Sequence, residues 1–273
     1  MAYTNFKADV WALAIERERD RNCVGWSLSN NDHEGEVAEY GKSVKINWTK
    51  RPTVSSYTGA AITTAETLDA TNSSIAIDQA KYVNFLVDDV DELQAKPKIM
   101  ASCMKEAAAA IAEDADDYIY SLYTACGASV VNATCTSTTI IETLSSAVQK
   151  MRENKVPSNV ALSLEVTPAI YQKMWIAKIT QQLPNEMPLE NGLVAMWNGL
   201  KVYQTVGVKV VSTVHMCLLR TKAAISVIGQ MQKMEAYRPQ NLFADAVKGL
   251  HVYGAAVVRP LELITLKLTP VAG

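Results

Sequence analysis

Residues 75–123 read IAIDQAKYVNFLVDDVDELQAKPKIMASCMKEAAAAIAEDADDYIYSLY, and this stretch decides the fold. Its first part is a short run of apolar or β-favouring residues, which predicts a strand: Ile75, Ile77, Tyr82, Phe85 and Val87. Pro97 stands where a helix would begin, a position that tolerates its missing N–H. No Gly or Pro follows before about Thr124, so we predict one long helix of roughly 40 Å at about 1.5 Å per residue. A rod of that length in a 273-residue chain is typical of structural framework.

The apolar residues of the predicted helix recur at helical spacing and define one face. They are Ile99, Met100, Cys103, Met104, Ala107, Ala108, Ile111, Ala115, Tyr118, Ile119, Leu122 and Tyr123. The charges oppose the helix macrodipole, because the lysines lie toward the N-terminus and the acids toward the C-terminus. These charges are Lys98 and Lys105, then Glu113, Asp114, Asp116 and Asp117. We therefore expect packing to hold the helix, with the acids facing cations, a neighbour or, most commonly, water.

The order of elements along nearly the whole chain resembles the major capsid proteins of tailed phages, which have the Hong-Kong-97-type fold. Residues 6–13 resemble the helix of the capsid N-terminal arm, and residues 34–46 resemble the entry into its extended loop. Residues 77–82 and 87–91 are similar to the return from that loop into the spine helix. Residues 248–260 resemble the closing strands.

The resemblance implies an α+β fold with an N-terminal arm, an extended β loop, a peripheral domain that contains the spine helix, and a mixed α/β axial domain. The implied boundaries are 1–28 for the arm, 29–84 for the extended loop and its flanking strands, 85–136 for the peripheral domain with the spine helix, 137–240 for the axial domain, and 241–273 for the closing strands of the peripheral domain.

The remaining elements are predicted from local patterns. Val44, Ile46 and Trp48 alternate with polar residues and predict a strand, although residues 41–74 as a whole contain few large apolar side chains. That segment is either a surface loop or an excursion completed by a neighbouring subunit. Farther along, Thr139 and Glu142 have capping-box spacing for a helix. We also predict a helix over 168–177, a loop over 181–191, and strands over 160–164, 200–211, 216–219, 250–258 and 261–268.

Composition excludes several classes of protein. Apolar residues make up 49% and charged residues 20% of the chain, which are ordinary globular values. We find no run of about 18 apolar residues and no signal-peptide pattern, so we expect no membrane association. Five scattered cysteines favour reduced thiols over a disulfide framework.

Charge is unevenly distributed. Residues 1–150 contain 21 acids and 13 bases, whereas residues 151–273 contain 7 acids and 13 bases. The asymmetry indicates either chance with solvated faces or opposite-sign surfaces that meet between subunits.

The sequence contains no pattern typical of catalysis, cofactor binding or metal binding. The three histidines are far apart, and the expected zinc and nucleotide-binding motifs do not occur. We interpret His215 and His251 as structural residues with satisfied hydrogen bonds. The acidic corner around Asp88 and Asp91 lacks the glycine and the spacing of a calcium loop, so helix capping and solvation are the better interpretation. There is no basic run for specific nucleic-acid binding.

We therefore expect a non-enzymatic structural protein, without cofactor or metal, that self-assembles into an icosahedral viral capsid enclosing the genome. Its expected partners are its own copies in hexamers and pentamers, scaffolding, portal and decoration proteins, and packaged DNA by non-specific proximity. Its expected location is the virion capsid, after assembly in the host cytoplasm. The predicted assembly contacts are Trp11, Lys45, Trp48, Arg51, Tyr57, Asp88 and Asp91. The alternatives are an encapsulin-like compartment shell and a soluble α/β enzyme or binding protein.

The sequence departs from the pattern of this family in one respect. Some shells of this family join a loop lysine to an asparagine of a neighbouring subunit near the closing strands. Lys45 and Lys50 would supply the amine, but Asn241 is the last asparagine of this chain. We therefore predict a shell held by non-covalent contacts.

Overall fold

The computed structural model describes residues 23–32, 43–49, 52–57, 70–88, 99–177 and 193–271. Its helices are α1 (Ile99–Ser121), α2 (Thr139–Glu153) and α3 (Pro168–Ile176). Its strands are β1 (Ser43–Thr49), β2 (Ala70–Ala76), β3 (Gln79–Asp88), β4 (Ala128–Cys135), β5 (Leu162–Val166), β6 (Leu193–Trp197), β7 (Leu200–Gln204), β8 (Val210–Val211), β9 (Val214–Arg220), β10 (Ile225–Tyr237), β11 (Ala244–Val257) and β12 (Leu263–Pro270). No helix within these ranges is long and apolar enough to cross a membrane.

The strands of the described ranges form three sheets. β1 and β2 form an antiparallel pair, and β10, β11 and β3 form an antiparallel sheet in that order. The third sheet has seven strands in the order β4-β12-β9-β5-β7-β6, with β8 paired to β9. β12 is parallel to β4 and antiparallel to β9, so the end of the chain joins the strand that follows α1 to the rest of this sheet.

The long helix α1 confirms the main sequence prediction. It has 23 residues and is therefore about 35 Å long at about 1.5 Å per residue. Ala107, Ala115 and Ile119 of the predicted apolar face are buried. The fold is mixed α+β, as predicted.

The acids at the C-terminal end of α1 meet cations and hydrogen-bond donors, one of the expected alternatives, while Asp114 and Asp117 also stay partly exposed to water. Asp114 lies 3.4 Å from the Lys81 amine and accepts a 2.8 Å hydrogen bond from the Tyr253 hydroxyl. Asp117 lies 3.7 Å from the Lys209 amine, and Asp116 is fully buried. The strands place cations and hydrogen-bond donors beside these carboxylates, so packing offsets the unfavourable dipole.

The main hydrophobic core lies between the seven-stranded sheet and the helices α2 and α3. Four of its fully buried side chains come from the inner faces of the two helices: Leu144, Met151, Ile170 and Met174. α2 packs on β4 and β12, and α3 packs on β12. Each such side chain contributes about 1.5–3 kcal/mol relative to exposure, so this core is the main source of stability.

Several local predictions need correction. α2 begins at Thr139 as predicted, but its N-cap is Thr138, whose side chain makes no capping hydrogen bond. Thr139 instead bonds to residues 132–136, so the capping-box interpretation is wrong. The strand predicted over 160–164 lies two residues later, and the strand predicted over 200–211 is two strands separated by a turn. β4, β6 and β10 were not predicted. Polar residues mask the alternation of a strand in β4 and β10, whereas β6 is entirely apolar and shows no alternation.

The β1–β2 pair is attached to the three-stranded sheet at its base. Val44 and Ile75 form a small buried cluster with Ile228 of β10. At the crossing point, a Cβ atom on Gly254 would lie 2.1 Å from the Ala76 carbonyl oxygen. Only glycine fits at this place, because the neighbouring atom belongs to backbone rather than to a movable side chain.

We predict that Gly254→Ala destabilises the protein by about 2 kcal/mol or more, because the added methyl group must displace the base of the β1–β2 pair. Gly229→Ala is the matched control. It lies on the adjacent strand, and its Cβ would approach only the Trp26 ring at 3.8 Å. Urea unfolding of the two variants measures the difference, and equal stabilities would contradict the close-approach explanation.

Candidate assembly surfaces

Residues 52–57 form an extended segment whose six side chains are all exposed. Val54 is 93% exposed and Tyr57 is 76% exposed, although both are large apolar residues. Each square ångström of apolar surface left in water forgoes about 25 cal/mol. The described part of the chain does not cover these two side chains, so the segment is a candidate contact with another molecule.

The outer face of the three-stranded sheet is a second candidate surface. Tyr82 on β3 lies opposite Leu250 on β11, and both side chains are exposed. Leu86 follows on the same face of β3 and is also exposed. The opposite face of β3 includes Val87, which is buried. β3 therefore carries apolar residues on both of its faces, and one apolar face remains in water.

Polar bonds across the three strands keep this outer face in a fixed shape. The Lys248 amine on β11 lies 2.8 Å from the Glu235 carboxylate on β10. The Tyr237 hydroxyl donates a 3.1 Å hydrogen bond to Asn84 of β3. A cavity of about 420 Å³ lies among these residues, lined by Tyr82, Asn84, Glu235, Lys248, Gly249 and Leu250.

The connection between β10 and β11 extends the same apolar surface. Leu242 and Phe243 are exposed there, and the Phe243 side chain is 84% exposed. Leu86 lies opposite Ala246 in register, and Ala246 also pairs with Tyr237, so this end of the sheet gathers large apolar groups. We call Tyr82, Leu86, Leu242, Phe243 and Leu250 the outer apolar surface.

The structure places some of the predicted contact residues at the surface. Lys45 is exposed on β1, Tyr57 is exposed in the extended segment, and Asp88 is exposed at the end of β3. Trp48 lies on β1 opposite Thr71 in register. Trp11, Arg51 and Asp91 lie outside the described residues, as do the predicted arm helix and the predicted loop over 181–191. The roles of all seven residues stay predictions.

Sequence reasoning missed the outer apolar surface. Tyr82 served only as a marker of a strand, although β3 has apolar side chains at both even and odd positions. Such a pattern is typical of a strand that is buried on both faces. In β3 one of these faces is exposed within a single chain, and this contrast marks the face as a candidate interface.

The histidines His215 and His251 differ in the hydrogen bonds of their ring nitrogens. His215 Nδ1 lies 2.7 Å from the Thr167 hydroxyl, which agrees with the expectation of a satisfied structural residue. His251 is buried and stacks on Tyr253 with ring centroids 4.9 Å apart, and its Nδ1 has no hydrogen-bond partner among the described residues. The expectation is therefore wrong for His251. Burial lowers the pKa of His251, although the Asp114 carboxylate acts in the opposite direction.

The described residues show no grouping of three or more His, Cys, Asp or Glu side chains that could hold a metal ion. All five cysteines are thiols rather than disulfides. Burial raises the pKa of the Cys217 thiol to about 12 and also raises the pKa of Cys135. These two thiols are therefore poor nucleophiles.

Comparison with known proteins identifies the fold. Neither the protein-family models nor the curated proteins contain a match. Among solved structures, one titled "Mycobacterium phage Che8" is 25% identical with a TM-score of 0.81, and the match covers 97% of this chain and 98% of that chain. The capsid of the cyanophage P-SCSP1u is 16% identical with a TM-score of 0.74, over 98% of this chain and 93% of that chain.

A compartment shell is also similar. The SrpI encapsulin from Synechococcus elongatus is 10% identical with a TM-score of 0.61, over 84% of this chain and 83% of that chain. The phage structures agree more closely and over more of the chain. The chain therefore has the phage capsid fold, which confirms the resemblance to the major capsid proteins of tailed phages at the level of the fold.

We predict that acidification from pH 7.5 to 5.5 destabilises the protein partly through His251. Its pKa is lowered in the folded state, so the unfolded chain binds the proton more readily below the ordinary pKa of about 6.5. The contribution is fully present above that value and is lost as the pH falls below it. Urea unfolding at the two pH values checks this, and His251→Gln should show a smaller loss than the native protein. An equal loss in both proteins would contradict the prediction.

Proposed function

We propose that this chain is a major capsid protein that self-assembles into an icosahedral shell around a phage genome. The observation that carries the proposal is the agreement of the fold over 97% of the chain and 98% of a phage structure. This agreement extends over nearly the whole length of both chains.

The exposed apolar side chains support the same function. The outer apolar surface and residues 52–57 place several large apolar groups in water. Contiguous patches of this kind usually mark protein–protein contacts. In a closed shell every subunit is surrounded by copies of itself, and large aromatic side chains at the centre of such contacts supply most of the binding energy.

We further propose that the shell forms from hexamers and pentamers and performs no catalysis. The residues predicted for the contacts are Trp11, Lys45, Trp48, Arg51, Tyr57, Asp88 and Asp91. Scaffolding, portal and decoration proteins are the proposed additional partners, and packaged DNA would lie near the shell without specific recognition. The proposed location is the virion capsid, after assembly in the host cytoplasm. The division into arm, extended loop, peripheral domain and axial domain stays part of this proposal.

An encapsulin-like compartment is the second candidate, because an encapsulin shares the fold over 84% of this chain. The contents of purified particles distinguish the two functions. A capsid isolated from infected cells contains double-stranded DNA, whereas a compartment contains a cargo enzyme.

The uneven charge is partly neutralised within one subunit. Lys209 of the basic half lies 3.7 Å from Asp117 of the acidic half, in the same chain. This pair weakens the interpretation that the two halves attract only between subunits.

We predict that the purified protein, alone or with a scaffold, forms capsomers or shells, and that Tyr57→Ser and Tyr82→Ser weaken this assembly. Both side chains are exposed in the single chain, so the subunit's melting temperature should stay within about 2 °C, as expected for surface substitutions. Analytical ultracentrifugation and electron microscopy measure the assembled fraction.

Leu261→Ser is the control for these variants. Leu261 is an exposed apolar residue outside both candidate surfaces, so its replacement should leave assembly unchanged. A native protein that stays monomeric at every concentration, with or without a scaffold, would contradict the proposed function. Normal assembly of Tyr57→Ser and Tyr82→Ser would contradict only the choice of surfaces.

We predict that no covalent bond joins the subunits. Lys45 is exposed, but no asparagine follows Asn241 in the closing strands, and the buried Cys135 and Cys217 are unreactive. Boiling assembled particles in detergent without reductant should release one band near the chain mass of 29.8 kDa. A ladder of higher masses would disprove this, and its disappearance with reductant would attribute it to disulfides.

A further inference from the structure

Arg220, near the end of β9, is the most unusual buried residue of the described ranges. Its side chain is fully buried, and its Nε donates a 2.6 Å hydrogen bond to Oε1 of Glu165, which is also fully buried on β5. Among the described residues, its other side-chain hydrogen bonds all reach residues 25–29. One terminal nitrogen donates to the Leu28 carbonyl at 3.2 Å and to the Ser29 hydroxyl at 3.0 Å, and the other donates to the Gly25 carbonyl at 3.0 Å.

Residues 23–32, which we call the anchor segment, contact the three-stranded sheet, the helix α1 and the seven-stranded sheet. Asn30 pairs with β10, because its N–H donates to the Ile225 carbonyl at 2.9 Å and its carbonyl accepts from Val227 at 3.0 Å. The Trp26 N–H donates to Asp116 of α1 at 3.3 Å, and the Trp26 ring lies against His251 and Tyr253 of β11.

The anchor segment also approaches α1 very closely. A Cβ atom on Gly25 would lie 2.6 Å from the Asp116 carboxylate, so a larger residue would have to displace this buried side chain. Val24 is fully buried against Leu193 and Tyr203 of the seven-stranded sheet. The segment is therefore held from several sides, and its residues 23–28 belong to the stretch 1–28 that resembles the capsid arm.

A buried ion pair is a weak source of stability. The cost of removing both charges from water often exceeds their attraction, and hydrophobic residues of similar volume are commonly as stable or more stable. Hydrophobic residues cannot, however, bind the carbonyl and hydroxyl oxygens of a turn. The planar guanidinium has five donors in a fixed geometry, which suits it to hold three residues of one segment at once.

We propose that Arg220 is a positioning residue for assembly: it fixes the anchor segment, which includes the last residues of the stretch 1–28 that resembles the capsid arm, and a second copy of this chain is the expected partner of that arm. This inference rests on the proposed function. Glu165 orients the guanidinium, and the anchor segment transmits its position to the arm. The contact that the arm makes is represented by Trp11, the large apolar residue of the predicted arm helix.

The first test separates position from stability in the full-length protein. Glu165→Met together with Arg220→Met should leave the melting temperature close to the native value. The amides of Leu28, Ser29 and Asn30, which are bonded in the native anchor segment, should exchange with solvent about tenfold faster or more, as expected for the loss of hydrogen bonds to a charged donor. Exchange in α2 serves as an internal reference and should not change.

The matched control removes an ion pair that does not touch the anchor segment. Asp117→Asn with Lys209→Gln breaks the exposed 3.7 Å pair beside α1 and should change neither exchange in residues 28–30 nor assembly. If the Met variant does not fold, Arg220→Lys and Ser29→Ala provide the same test. Lysine keeps the charge beside Glu165 but lacks the planar guanidinium that binds several oxygens at once, so the rate of amide exchange at residues 28–30 should still rise. Unchanged exchange in the folded variants would overturn the proposal.

The second test asks whether Arg220 acts through the arm. Trp11→Ala is combined with the Met variant in a double-mutant cycle, with the subunit concentration at half-assembly as the readout. Each change alone should raise that concentration about tenfold, and the combination should raise it little more than either one. The two effects should not add, because both changes would disrupt the same contact of the arm.

Additive effects, or an unaffected assembly of Trp11→Ala, would overturn the proposal and leave the proposed function intact. A native protein that never assembles would instead disprove the proposed function. The exchange experiment on the single subunit would then still decide whether Arg220 fixes the anchor segment.

Discussion

The close contact between the anchor segment and α1 is the constraint on which the rest of the structure depends. Asp116 accepts a hydrogen bond from the Trp26 backbone N–H, and its carboxylate would lie 2.6 Å from a Cβ atom on Gly25 and 3.1 Å from one on Gly207. Burial and then the negative charge of Glu165 raise the pKa of Tyr120, which is a neutral phenol in the same region. The polar groups of one helix, two strands and one turn are therefore fixed relative to one another at a single junction.

This junction explains how a long helix with an unfavourable charge layout is stable. Asp114 and Asp117 stay partly exposed but lie beside Lys81, Tyr253 and Lys209, and the buried Asp116 accepts a hydrogen bond from the Trp26 backbone N–H of the anchor segment. Each contact joins α1 to a different element, so the helix is held along its C-terminal half from several directions. A rigid subunit of this kind suits a shell, in which many small contacts must form in the same geometry in every copy.

The apolar side chains that stay exposed in the single chain support the proposed function. The seven-stranded sheet buries its large apolar residues on α2 and α3, whereas the three-stranded sheet buries one face and covers the other only at its Gly254 end, where the β1–β2 pair lies against it. Its other face, the β10–β11 connection and residues 52–57 expose aromatic and aliphatic groups that a monomeric protein would bury. The single chain thus forms a complete fold but leaves large apolar side chains exposed to water, and we propose that other copies of the chain bury them.

The sequence by itself determined the long helix, the strand at residues 44–48, the mixed α+β class and the resemblance to phage capsids, whereas it left open whether residues 41–74 form a surface loop or an excursion. These features depend on local spacing and on the order of elements along the chain. Only the tertiary structure decided that Asp116 and Arg220 are buried, that Gly254 lies against a backbone carbonyl, and that Tyr82 and Leu250 share an exposed face. Each of these facts depends on pairing between residues that are far apart in sequence, such as Arg220 with Gly25 or Tyr82 with Leu250. Local periodicity shows that a residue belongs to a strand or a helix, but the partner that covers it, or leaves it exposed, is set by the packing of the whole chain.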